Sequence, residues 1–140
     1  MRAIAALALL LCVTLGCDKA PKRAAGTAAN HGLMGFIDSP AAGSTVGPAF
    51  LVAGWAAGRE GVDRVRIYLD DQMIATAALN VARPDIDREY PRYAGTGPNH
   101  GFTTTIDAGT LSGFRMLRIE AIDRRGTAAH VASITVKIEP

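Results

Sequence analysis

Residues 62–71 read VDRVRIYLDD, and within this stretch apolar and polar side chains alternate. Val65, Ile67 and Leu69 are apolar, while positions 64, 66 and 68 carry two arginines and a tyrosine. Successive side chains of a β-strand point to opposite faces of a sheet, so this period of two predicts a strand with one buried and one solvated face. Helical spacing does not fit the three apolar residues. The stretch therefore favours a fold built from strands.

The same alternation recurs from about residue 33 to the end of the chain. Residues 50–56, FLVAGWA, are apolar on both faces, which is typical of a central strand covered on each side. Tight turn sequences separate the strands, so the predicted fold is all-β, an Ig-like antiparallel β-sandwich of about seven strands with Trp55 near its centre. A small closed barrel is the alternative architecture. The other alternating rows are Phe102, Thr104 and Ile106; Leu117, Ile119 and Ala121; and Ala132, Ile134, Val136 and Ile138, opposed by Val131, Ser133, Thr135 and Lys137.

Composition limits the chain to one modest domain and excludes several functions. Its 140 residues include 15 Lys plus Arg and 13 Asp plus Glu, a net charge of +2 with both signs scattered. Such a chain has no basic stripe, so we expect no nucleic-acid partner. The two cysteines, Cys12 and Cys17, precede the main body, which therefore has no disulfide or cysteine metal site of its own. An apolar core must stabilise the fold.

The first 17 residues resemble the signal peptide of a bacterial lipoprotein. Arg2 is followed by an uncharged apolar run over residues 3–15, which is too short to span a membrane. The sequence TLGC at 14–17 is similar to a lipobox, although the usual leucine three residues before the cysteine is replaced by Thr14. This resemblance implies that residues 1–16 are removed and that Cys17 is acylated, for example with palmitate. The alternatives are an ordinary signal peptide that leaves Cys17 as a free thiol, or a transmembrane anchor.

Residues 17–32 are predicted to be a lipidated N-terminus followed by a flexible tether. They are rich in Ala, Gly, Lys and Pro and show no apolar periodicity. Asp18 directly after the cysteine implies, by resemblance to enteric Gram-negative lipoproteins, retention on the periplasmic face of the inner membrane. The expected location is thus the cell envelope, with membrane lipid as one partner and residues 33–140 as the folded domain.

Several segments in order resemble bacterial Ig-like domains of surface and secreted proteins. RPDIDREYP at 83–91, followed by NHGF at 99–102, is similar to a loop of one subgroup, which has the pattern RPD, YP and GF. The chain lacks the cysteine pair of antibody domains and carries its tryptophan on an early strand. The resemblance implies a structural or binding module without catalysis. The other matching segments are DSPAAGSTVGPAFLVAGWA at 38–56, GVDRVRIYLDD at 61–71, IEAIDRRGTAA at 119–129 and ITVKIEP at 134–140.

The connection from Asn80 to Asn99, called the long loop below, is the first place to look for specific chemistry, because connections of this length are usually functional or disordered. Pro84 at a first helical turn and the acidic residues after it predict one short helical turn over 84–90. We expect the carboxylates of Asp85, Asp87 and Glu89 to cap this helix and Arg83 to pair with one of them. A calcium site is the alternative, although the DxDxE spacing lacks the usual glycine.

Aromatic side chains in the long loop suggest a binding surface. Tyr90 and Tyr93 could stack on a sugar or on a side chain of a partner, since each ring has a flat apolar face and a hydroxyl tip. The candidate binding residues are therefore Arg83, Asp85, Tyr90, Tyr93 and Asn99. In the alternative interpretation, the rings fold back onto the edge of the sandwich and cover its core.

The sequence contains no motif for acyl transfer, zinc hydrolysis, nucleotide binding or thiol redox chemistry, and we expect no enzyme, cofactor or metal. His100 and His130 are interpreted as ordinary polar residues at strand starts. A site made of Asp85, Asp87, His100 and a water, as in a small metal-dependent hydrolase, is the least favoured interpretation. The leading hypothesis is a membrane-anchored lipoprotein that presents an Ig-like interaction module to an envelope glycan or protein. The alternative is a structural spacer or assembly accessory.

Overall fold

The computed structural model describes residues 32–140. The predicted signal peptide and acylated Cys17 lie outside the described residues, as does the predicted tether over 17–32 except for Gly32. Within residues 32–140, no helix is long and apolar enough to cross a membrane. The strands are β1 (Leu33–Ser39), β2 (Thr45–Val46), β3 (Ala49–Gly58), β4 (Val62–Leu69), β5 (Gln72–Ala78), β6 (Gly101–Asp107), β7 (Gly113–Asp123) and β8 (Ala128–Ile138), and the one α-helix of this part is α1 (Pro84–Glu89).

The strands form two separate sheets, which confirms the all-β sandwich. One sheet has three strands in the order β1-β3-β6, and the other has five in the order β2-β8-β7-β4-β5. The count of about seven strands is close, because the eighth, β2, has only two residues. All pairs are antiparallel except β2 with β8, which run parallel. This two-residue pair is an exception to the antiparallel arrangement, because β2 lies between β1 and β3 in sequence but joins the five-stranded sheet.

The apolar rows predicted from the alternation fill the space between the sheets. Val65, Ile67 and Leu69 of β4 lie in this core and are essentially inaccessible to solvent. They face the three-stranded sheet, whose inward side chains include Val52 and Phe102. Both sheets remove apolar surface from water where they face each other, so this core is the main source of stability. Its other fully buried members include Ile106, Leu117, Ile119, Val136 and Ile138.

Trp55 is not near the centre of the sandwich, which corrects the prediction. In β3 the even-numbered residues Val52 and Ala56 point into the core, so the alternation of a strand turns Trp55 to the outer face of the three-stranded sheet. Trp55 is nonetheless 7% exposed, because the long loop covers it. The strand is therefore covered on both faces from Gly54 to Gly58, by different elements, whereas Leu51 on the outer face is 50% exposed, so the predicted cover on both faces holds only for the second half of β3.

Val131 is a second correction, because the predicted outward row of β8 breaks at this residue. Ile119 pairs with Ala132 and Glu120 pairs with His130, so Val131 is an extra residue in a β-bulge. The bulge shifts the phase of the strand, and both Val131 and Ala132 pack against the core. A strict period of two could not anticipate this change.

Candidate functional site

The long loop is folded onto the outer face of the three-stranded sheet. It contains α1 and, directly after it, a 3-10 helix at Pro91–Thr96. The predicted helical turn over 84–90 is therefore confirmed, with Pro84 at its first turn and acidic residues following. Within α1, only Ile86 is buried, because one side of this short helix faces the sheet. The loop is thus an ordered layer on the sandwich.

A second hydrophobic cluster holds the loop in place, and we call it the Trp55 cluster. Its buried members are Trp55, Ala57, Ile86 and Tyr93, with Met34 and Tyr90 packed against them. The ring centroids of Tyr90 and Trp55 are 5.5 Å apart, and those of Tyr90 and Tyr93 are 6.5 Å apart. These tilted aromatic pairs are at favourable separations.

The two tyrosines differ in their accessibility. Tyr93 is 4% exposed and its hydroxyl donates a hydrogen bond to the carbonyl oxygen of Gly32 at 3.2 Å, so its ring is not available for stacking on a ligand. Tyr90 is half-buried and keeps part of its surface exposed. The rings cover the outer face of the three-stranded sheet, not the edge of the sandwich core. Direct binding by this loop stays a prediction, and Tyr90 is the aromatic residue that could contribute to it.

Arg83 joins the start of the loop to the sandwich. Its Nε and Nη2 donate to the carboxylate of Asp85 at 2.9 and 2.7 Å, and its Nη1 donates to Asp38 at 2.6 Å. The expected pairing of Arg83 with an acid of the loop is present, and Asp38 at the end of β1 is a second partner. The hydrogen bonds from Arg83 lower the pKa of Asp85 to about 2, and those to Asp85 and Asp38 raise the pKa of Arg83.

His100 is not an ordinary polar residue at a strand start, which corrects that prediction. The residue is 3% exposed, and its Nε2 lies 2.8 Å from Oδ1 of Asp87 in α1. The two side chains connect the helix to the start of β6. Of the site considered from sequence, the structure brings Asp87 and His100 together, while Asp85 turns to Arg83. His130 is half-exposed on the outer face of the five-stranded sheet, 4.0 Å from the carboxylate of Glu120.

The last residues of the loop line a small cavity at the end of the sandwich. The cavity has a volume of about 210 Å³ and includes Asn99 and His100 on one side and Arg124 on another. Of the five candidate binding residues, Asn99 lines it, and so does His100 of the least favoured site. Sequence reasoning missed Arg124, which lies in the turn between β7 and β8 and carries no local signal of a site. In residues 32–140, no group of three or more His, Cys, Asp or Glu residues is arranged to hold a metal ion.

Comparison with known proteins gives the class of fold. No protein-family model and no curated protein matches the chain. The structure is similar to fibronectin(III)-like modules of Clostridium thermocellum CbhA, with a TM-score of 0.50 and 20% identity over 76% of this chain. The match spans 46% of that chain, so this protein corresponds to about half of its length. At this identity the likeness shows the fold alone, an Ig-like β-sandwich.

Two further solved structures show weaker likeness. One is a lytic polysaccharide monooxygenase (LPMO) from Kitasatospora papulosa, with a TM-score of 0.46, 12% identity, and coverage of 69% of this chain and 51% of that one. The other is a Niemann-Pick type C2 protein from the Japanese carpenter ant, with a TM-score of 0.38, 11% identity, and coverage of 68% and 79%.

Proposed function

We propose that the protein is a membrane-anchored lipoprotein of the bacterial cell envelope that presents an Ig-like interaction module, with no catalytic role. The observation that carries this proposal is the packing of the long loop, which the Trp55 cluster fixes onto the outer face of the three-stranded sheet. A loop that is ordered before binding loses little conformational entropy when a partner docks. Loops on rigid scaffolds commonly carry the binding residues of a domain.

The position of the chain start supports a partner near the membrane. Leu33 pairs with Gly58, and the hydroxyl of Tyr93 bonds to Gly32, so the chain enters the sandwich beside the long loop. A tether of about fifteen residues from an acylated Cys17 would have a typical reach of roughly 20 Å. The loop would then face envelope components close to the lipid surface, either glycan or protein.

Retention on envelope material tests the binding part of the proposal. The head, residues 32–140, would be incubated with isolated bacterial envelopes over a range of concentrations, and we expect saturable retention. The double variant Arg83→Gln with Asp85→Asn removes the ion pair of the loop and should reduce retention. The matched control, Arg66→Gln with Glu120→Gln, removes a comparable pair on the opposite sheet and should leave retention unchanged. Absence of saturable retention would favour the alternative, a structural spacer or assembly accessory.

Mass spectrometry of the mature protein tests the anchor separately. We expect Cys17 as the first residue, carrying acyl chains, because two or three chains are needed for stable anchorage. A Cys17→Ala variant should leave the membrane fraction. A mature N-terminus elsewhere, with Cys17 unmodified or removed, would contradict the lipoprotein assignment. Separation of inner from outer membranes would test the location that Asp18 favours.

A further inference from the structure

A small cavity at the end of the sandwich lies where the last residues of the long loop meet the five-stranded sheet. It lies between the start of β4, the end of β5 and the residues that follow the 3-10 helix. Its volume of about 210 Å³ is below the roughly 300–1,000 Å³ of pockets for drug-sized ligands. The cavity therefore suits a small molecule of one ring at most.

One wall of the cavity carries the guanidinium group of Arg124, which has no acidic partner in the part of the chain that the structure describes. The chain at Arg124 is held by a hydrogen bond from its backbone N–H to the carbonyl oxygen of Gly61 at 3.1 Å. A Cβ at Gly61 would stand 2.9 Å from Cζ of Arg124, and a Cβ at Gly97 would stand 3.2 Å from Nη2, so the guanidinium occupies space that these glycines leave open. Within residues 32–140, Arg124 makes no ion pair, whereas the adjacent Arg125 pairs with Glu60 at 2.9 Å.

The other walls carry groups that bind hydroxyls. His100 is buried, and Asp87 fixes the ring through Nε2, so that Nδ1 has no hydrogen-bond partner within the described chain. The side chain of Asn99 can both donate and accept. Asp63 also lines the cavity, and its carboxylate forms an ion pair with Arg64, not with Arg124. The cavity thus combines the guanidinium of Arg124 with the hydrogen-bonding side chains of His100 and Asn99.

We propose that this cavity binds a small hydroxylated carboxylate of the sugar-acid class. Its carboxylate would accept hydrogen bonds from the guanidinium of Arg124, whose planar donors match that geometry. Its hydroxyls would pair with His100 and Asn99, whose polar groups need partners when a ligand displaces water. Leu79 provides an apolar contact for the ring. The proposal concerns the cavity alone, and it holds whether or not Cys17 is acylated.

Titration calorimetry on the full chain tests this assignment with three probes of similar size. The probes are D-glucuronate, which has both features, D-glucose, which lacks the carboxylate, and cyclohexanecarboxylate, which lacks the hydroxyls. We expect saturable binding of glucuronate, with each other probe weaker by about tenfold or more, because charged hydrogen bonds and unpaired buried polar groups each have effects of that size. The Arg124→Gln variant should weaken glucuronate binding by about tenfold, while Arg125→Gln, the matched control, should bind as the wild type does.

Each outcome supports or overturns the proposal. Undetectable glucuronate binding to the folded wild type overturns it, as does equal weakening by Arg124→Gln and Arg125→Gln. Equal binding of cyclohexanecarboxylate and glucuronate overturns the hydroxyl part and with it the ligand class. An Asn99→Ala variant that weakens glucuronate but not cyclohexanecarboxylate supports the hydroxyl contact. Envelope retention uses variants of Arg83 and Asp85, which do not line the cavity, and this test uses variants of Arg124 and Asn99, which do, so failure of one does not imply failure of the other.

Discussion

Truncation of Tyr93 to alanine should separate the long loop from the sheet that it covers. The side chain is buried in the Trp55 cluster, with its ring 6.5 Å from that of Tyr90. Truncating a large buried aromatic side chain costs about 3–5 kcal/mol, and small domains have total stabilities of about 5–15 kcal/mol. The expected loss is therefore a large fraction of the stability of the domain. By contrast, Tyr93→Phe removes only the hydrogen bond to Gly32 and should cost about 0.5–1.5 kcal/mol.

The assay can use Trp55, because the chain has one tryptophan and that tryptophan lies under the loop. Urea unfolding followed by fluorescence and by far-UV circular dichroism reports the loop and the strands separately. For Tyr93→Ala we expect a red-shifted emission maximum in the native state and a lower urea midpoint. An emission shift with an unchanged circular dichroism signal would show that the loop leaves an intact sandwich. A Tyr93→Ala variant with wild-type emission, and with a midpoint shift that corresponds to a loss of less than about 0.5 kcal/mol in the free energy of unfolding, would refute the role given to this cluster.

Three further perturbations test other parts of the structure. Gly54→Ala should destabilise the protein by about 1–3 kcal/mol in urea unfolding, because a Cβ there would overlap the carbonyl oxygen of Phe36. Gly47→Ala is the control, because the added carbon there meets nothing closer than 3.9 Å, and equal stability of the two variants would contradict the argument. Asp123→Ala should lower the free energy of unfolding by about 1–3 kcal/mol, because this buried carboxylate accepts two backbone N–H hydrogen bonds in the turn after β7. Asp123→Asn should recover part of this loss, and equal stability of the Ala and Asn variants would count against the role of the carboxylate. The hydrogen bond from Arg83 lowers the pKa of Asp85 from 3.8 to about 2, so the contribution of Asp85 to stability is present above pH 3.8 and is lost as the pH falls through about 2. In thermal unfolding measured against pH, the Asp85→Asn variant should lack this loss, and identical profiles of variant and wild type would contradict the argument.

The sequence predicts the sandwich well because its evidence is local and repeated. The apolar row of β4 and the similar rows of β6 and β7 need only a period of two to be recognised. The phase of that period is less secure. FLVAGWA is apolar on both faces, and the sequence does not show which face meets the opposite sheet, so it does not fix the side on which Trp55 lies. The bulge at Val131 likewise depends on pairing with a neighbouring strand.

The candidate site is harder to predict, because its contacts join residues distant along the chain. The helix of the long loop and the pairing of Arg83 with Asp85 involve near neighbours, and both follow from local chemistry. The second partner of Arg83, Asp38, is 45 positions away. The contact between Asp87 and His100, and the position of Arg124 beside Asn99, exist only because the loop folds onto the sandwich. No spacing rule indicates these juxtapositions.

Site-specific photocrosslinking in living cells tests most directly whether this protein is an envelope-anchored interaction module. In the full chain with its N-terminal segment, a photoreactive amino acid would replace Glu89, which is exposed on the long loop. In a second variant it would replace Thr76, which is exposed on the opposite sheet and serves as the matched position. We expect a discrete crosslinked product in the membrane fraction from position 89 and none from position 76. Identical patterns from both positions, or no product at position 89 in a protein that is free of the membrane, would contradict the account.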